Sequence, residues 1–211
     1  MLRKPVIVVG VAGVLLAVSV IGILLVTGAS GGGHTSKPLV ASLASSRGTP
    51  PPAAGTPAAF VYLAGQKSNR CGLTSGELQS YPSTQRLQGS CCFPMELSTY
   101  EWQVPALHRY ASIPQIPADP YDVSVSLAQR LLGYDTSIQL SPAEQSTYDK
   151  AMRMSRLRGP CCCRCWRWTA FRGLSKFLIT QRSWPARRLA VLIDDLEGCG
   201  GKDSAPTGNK I

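Results

Sequence analysis

Four cysteines fall within five consecutive positions of this 211-residue chain: Cys161, Cys162, Cys163 and Cys165, directly after Pro160, and they are half of its eight cysteines. No regular backbone buries four such neighbours together, because adjacent side chains leave a helix or a strand in different directions. Bridges between adjacent cysteines are strained. Density of this kind leaves two ordinary explanations: disulfides to the distant Cys71, Cys91, Cys92 and Cys199, or a thiolate metal site.

Thiol chemistry depends on compartment, and the N-terminus bears on compartment. Residues Pro5 to Thr27 carry no charge and only Ser19 and Thr27 as polar interruptions. At about 1.5 Å per residue such a helix spans a hydrocarbon core of about 30 Å. Arg3 and Lys4 precede it and no acidic residue does, so the positive-inside rule predicts a cytoplasmic N-terminus and an extracytoplasmic remainder. The organisation expected is a cytoplasmic stub and cell-membrane anchor, single-pass, over residues 1–28, with a cleaved signal peptide as the alternative. Residues 29–59, with Gly31-Gly32-Gly33 and Pro50-Pro51-Pro52, read as a disordered linker that cannot bury enough apolar surface to offset its entropy. Residues 60–202, roughly 140 positions, suffice for one domain, followed by a disordered tail over 203–211.

The fold class expected for that domain is mainly α, with an irregular N-terminal half. Asp119-Pro120 reads as an N-cap followed by proline, predicting a helix from Pro120 to about Leu132. Ser141-Pro142-Ala143-Glu144 is a capping-box sequence and predicts a helix through about Arg156. Trp166, Ala170, Leu174, Phe177 and Leu178 recur at helical spacing to about Thr180, and Leu189, Leu192, Ile193 and Leu196 mark another helix ending before Gly198. Residues 61 to 117 are poorly periodic and interrupted by prolines, which predicts loop, with Phe60 to Leu63 as possible strand.

Two thiol chemistries compete. In one, Cys71 pairs with Cys91 or Cys92, closing a loop of about 20 residues and contributing roughly 3 kcal/mol; an even count of eight would allow complete oxidation outside the cytoplasm. In the other, Cys161, Cys163 and Cys165 at alternate positions, joined by Cys199, form a tetrahedral thiolate set for Zn or Cu(I), with Cys162 as an additional thiol. The electropositive setting of Arg158, Arg164 and Arg167 near a helix start favours thiolate, and Cys162 with Cys165 also gives the spacing of a thiol–disulfide oxidoreductase.

The string Pro160-Cys161-Cys162-Cys163-Arg164-Cys165 resembles the signature of bacterial secreted or membrane-anchored proteins known by their PCYCGC motif, a family without an established biochemical role. Pro160, Cys161, Cys163 and Cys165 match it, whereas Cys162 stands in place of the tyrosine and Arg164 in place of the glycine. The resemblance implies an anchor, a tether and helices ahead of the motif.

The chain carries a formal net charge of +10. Between Lys150 and Arg188 there are eleven basic residues and no acidic one. On an outward-facing domain that predicts attraction to an anionic surface or an acidic protein partner, with no nucleic acid expected. His34 and His108 lie in irregular sequence and are expected to be exposed, and the adjacent Asp194 and Asp195 to form a solvated helix end. No nucleophile elbow, phosphate loop or paired-histidine motif occurs, so the sequence does not indicate an enzyme.

Overall fold

A computed structural model of the chain describes residues 51–158 and 165–201. The apolar run at 5–27, the linker up to residue 50, Cys161, Cys162, Cys163 and the tail lie outside the described residues. Among the described residues no helix is long and apolar enough to cross a membrane.

The described chain is mainly helical. Thr56 opens α1 (Pro57–Ala64) by accepting a hydrogen bond from the Ala59 amide, with proline in the first turn. The short α2 (Ser75–Gln79) is capped the same way by Thr74. Strand β1 (Arg86–Gln88) follows, then α3 (Leu97–His108), β2 (Asp122–Ser124), α4 (Val125–Ser137), α5 (Pro142–Met154), α6 (Trp166–Arg182) and α7 (Ala186–Asp195). The two strands pair antiparallel, Leu87 opposite Val123.

Several expectations change here. Phe60 to Leu63 is helical, within α1, rather than strand. The poorly periodic stretch holds the twelve-residue α3, whose buried positions Thr99, Tyr100, Gln103, Val104 and Leu107 keep helical spacing. Polar Thr99 and Gln103 hide that spacing from a hydrophobicity reading, and Pro105 is accommodated inside the helix on its exposed side. Asp119-Pro120 does not start α4. Asp119 instead accepts from the Tyr121 amide at 2.8 Å and the Tyr100 hydroxyl at 2.7 Å, closing a buried turn. Three residues are then spent in β2, and Ser124 becomes the cap, accepting from the Leu127 amide. The capping box of α5 forms as expected, Ser141 and Glu144 bonding each other's amides.

The core is built chiefly by α4, α6 and α7, with Leu131, Leu174, Leu178, Leu189 and Leu192 all fully buried and Trp166 and Trp184 beside them. Helices α4 and α6 run against each other at close range, because Gly173 exposes bare backbone: a Cβ there would lie 1.9 Å from the Leu131 carbonyl oxygen. A smaller cluster joins α1 to α3 through Leu63, Tyr100, Val104 and Tyr121. Between these two clusters, the start of α6 and the segment after α7 meet the loop that follows β1.

Candidate metal centre

After β1 the chain turns at Gly89 and presents Cys91 and Cys92; after α7 it presents Cys199. These two loops run together through their backbones. The Cys91 amide donates to the Gly198 carbonyl at 3.4 Å, the Cys92 and Phe93 amides donate to the Cys199 carbonyl at 3.2 and 2.8 Å, and the Gly201 amide donates to the Pro94 carbonyl at 2.9 Å. So close an approach needs glycine. Gly200 sits at φ +78°, in the left-handed region that favours glycine, and a Cβ there would lie 2.2 Å from the Phe93 carbonyl oxygen. Gly200, next to Cys199, therefore serves the backbone pairing.

That pairing converges three thiols. Cys91 Sγ lies 3.5 Å from Cys92 Sγ and 3.4 Å from Cys199 Sγ, and all three sulfurs are within 4.8 Å of one another. Such spacing fits a single thiophilic ion. Sulfurs at about 2.3 Å from a tetrahedral centre lie about 3.8 Å apart, so only small shifts would close them on a metal. The same distances are far above the roughly 2.05 Å of a disulfide bond, and no disulfide joins the described cysteines to one another. The donor set is soft, suiting Zn or Cu(I) over hard cations.

Cys165 adds a fourth thiol from another direction. It is the N-cap residue of α6, buried, and its side chain hydrogen-bonds that of Cys91. The bond with Cys91 and burial push the Cys165 thiol well above its ordinary range, although the amides of Trp168 and Arg167 at the helix start pull the other way. For Cys91, the hydrogen bond with Cys165 favours thiolate, but the bond with Cys199 and burial outweigh it, and the thiol is pushed up to about 11. Cys91 and Cys165 thus hold their protons at neutral pH, which spares the interior two unpaired negative charges.

Behind the thiols lies a buried polar layer. The Arg167 guanidinium, 3% exposed, donates to the Pro120 carbonyl at 2.8 Å and is packed against Gly198, where a Cβ would meet its central carbon at 2.7 Å. Glu197 accepts from the Cys199 amide at 2.6 Å through one oxygen, and its backbone carbonyl accepts from Gln103 at 2.6 Å. Arg167 Nε, Glu197 Oε2 and the Tyr121 hydroxyl are buried with no hydrogen-bond partner among the described residues. Buried polar atoms left this way are rare and call for an explanation.

Of the residues the sequence singled out, Cys165 and Cys199 reach this centre, both through Cys91, while Cys161, Cys162 and Cys163 lie outside the described residues. Cys91 and Cys92 face Cys199, and Cys71 is exposed and is not among these converging sulfurs. His108 is exposed, as expected, whereas His34 lies outside the described residues. Asp194 and Asp195 are not a solvated end: Asp194 accepts from Ser155 at 2.7 Å and the Arg156 amide at 3.0 Å, and Asp195 is only 1% exposed. No family model, curated protein or solved structure matches the chain. The likeness of residues 160–165 to the PCYCGC proteins therefore remains one of a short motif.

Proposed function

We propose that this chain binds a soft metal ion, Zn or Cu(I), through Cys91, Cys92 and Cys199, with Cys165 beside Cys91 as the fourth sulfur. The observation that carries the reading is convergence: thiols 108 residues apart in sequence meet within hydrogen-bonding distance. Packing alone seldom brings three cysteines from two separate loops together, and a soft cation binding there displaces the thiol protons. Cys161 and Cys163 stay in the proposal as further donors because of their spacing from Cys165, and Cys162 as an additional thiol.

The proposal extends to location. The uncharged run at 5–27 and the charges before it support a single-pass anchor that holds the cysteine-rich domain outside the membrane, with the basic α5 to α7 region drawn to an anionic surface or an acidic partner. A second reading, a disulfide-stapled interaction module, rests on the 3.4 Å contact between Cys91 and Cys199, which oxidation could convert to a bond.

The test is anaerobic loading of the reduced chain with Zn(II) or Cu(I), followed by metal stoichiometry and free-thiol counting. The metal reading expects at least one ion per chain, with occupancy falling when Cys91 or Cys199 is replaced by serine. It is overturned if both variants load as the parent does. A Cys91–Cys199 disulfide recovered by peptide mapping of the protein as isolated, together with no metal uptake after reduction, would favour the second reading.

A further inference from the structure

Resting on the metal reading, a deeper inference concerns what lies behind the sulfurs. A soft divalent ion held by the thiolates of Cys91, Cys92 and Cys199 makes a complex of net charge −1 and a monovalent ion one of −2, and a fourth thiolate from Cys165 makes each one unit more negative. Anionic complexes are costly to bury without a counter-charge. Here the interior places the Arg167 guanidinium and the Glu197 carboxylate against the loop that carries Cys199. Arg167 follows Cys165 by two residues, packs its guanidinium on Gly198, and stands over the Trp166 ring at 5.2 Å and the Phe171 ring at 5.9 Å. Gly198 is the residue whose carbonyl receives the Cys91 amide and whose chain continues into Cys199. Glu197 sits on the other side of Gly198, one oxygen on the Cys199 amide and the other without a partner. Asp119, Tyr121 and Cys91 also feel the charge of the guanidinium.

We propose that Arg167 and Glu197 are opposed positioning residues that set the strength of the metal centre, the guanidinium stabilising the anionic metal–thiolate complex and the carboxylate opposing it. Both also hold geometry, since each contacts the loop that carries Cys199. Geometry and charge therefore predict different things. Loss of either residue through loosened geometry weakens binding. Loss of charge alone weakens it at Arg167 and strengthens it at Glu197.

Arg167→Gln and Glu197→Gln in the full-length chain separate the two, because glutamine at 197 keeps an acceptor for the Cys199 amide. The probe is Cd2+ alone, followed by sulfur-to-cadmium charge-transfer absorption and by competition with a chromophoric chelator, taking as the site the binding component that Cys199→Ser removes. Arg167→Gln is expected to weaken that component by roughly tenfold or more, the scale seen when residues supporting metal ligands are lost. Glu197→Gln is expected to tighten it by a factor of several. Changes in the same direction, or none, overturn the inference while leaving the metal reading intact. If Arg167→Gln does not fold, Glu197→Gln decides alone: tighter binding supports the proposal, and weaker or equal binding overturns it. A parent chain with no Cys199-dependent component overturns the proposed function itself.

Discussion

Cys91 is the residue through which the centre is connected, since its sulfur lies 3.5 Å from that of Cys92 and 3.4 Å from that of Cys199, and its protonation is linked to the Cys165 thiol. Its raised pKa has a consequence for the metal-free protein. The folded state holds the Cys91 proton up to about 11 against an ordinary value of 9.0, so the folded form binds protons more tightly than the unfolded one. Stability from this thiol is therefore complete below about pH 9 and is lost as pH rises through about 11. Unfolding free energies of the metal-free chain and of Cys91→Ala should converge by about 2 kcal/mol between pH 8 and 11; a constant gap would show that the thiol is not held in this environment. At this scale the sequence was half legible. Cys199, flanked by glycines, could be singled out by its neighbours, and Cys165 by its place before a helix. Cys91 and Cys92 could not, because a vicinal pair in irregular sequence reads equally as half of a disulfide, and only the pairing of two loops brings it to Cys199.

Helix α7 shows what a helix end can conceal. Its last turn carries Asp194 and Asp195, at the end where the dipole disfavours negative charge. Asp194 offsets that by accepting hydrogen bonds from the segment after α5, with Arg156 3.7 Å away. Asp195 has weaker compensation. It is buried, one carboxylate oxygen has no hydrogen-bond partner among the described residues, and Arg109 stands 3.8 Å from that same oxygen. Burial raises its pKa from 3.8 to about 6. A raised carboxyl favours the fold while protonated, so its contribution is complete below about pH 4 and is lost as pH rises through 6. Asp195→Asn should then be more stable than the parent at pH 7, by about 2 kcal/mol, with the advantage gone by pH 4. Equal stability at both pH values in chemical denaturation would sink this account. The capping box made α5 readable, and the apolar faces made α6 and α7 so. Periodicity failed for α3, where buried Thr99 and Gln103 occupy core positions, and for the start of α4, where Asp119 serves a tertiary turn with Tyr100 rather than a cap.

For the whole molecule, the centre ties together the loop after β1, the start of α6 and the chain beyond α7. No spacing in the sequence announces that residues 91 and 199 meet; the meeting follows from how α6 packs on α4 and α7 on α5 and where that leaves their ends. The charge run is likewise reinterpreted by the fold. Arg167 is buried, Arg172 and Lys176 share Asp135, and Arg188 lies 4.0 Å over the Trp184 ring, whereas Lys150, Arg153, Arg182 and Arg187 remain exposed as a basic surface. A ligand that binds only the folded state stabilises it by about 4 kcal/mol at a thousandfold excess over Kd. Each kcal/mol moves the midpoint of a domain of this size by about 2–4 °C. Metal added to the reduced chain should consequently raise Tm by roughly 10 °C, and a chelator should reverse the gain. The rise should vanish in Cys199→Ser, because without that sulfur an ion on Cys91 and Cys92 no longer links the two loops. Equal metal-induced shifts in the parent and in Cys199→Ser would mean that the ion stabilises some other part of the chain, and the loops would then be joined by their backbone hydrogen bonds alone.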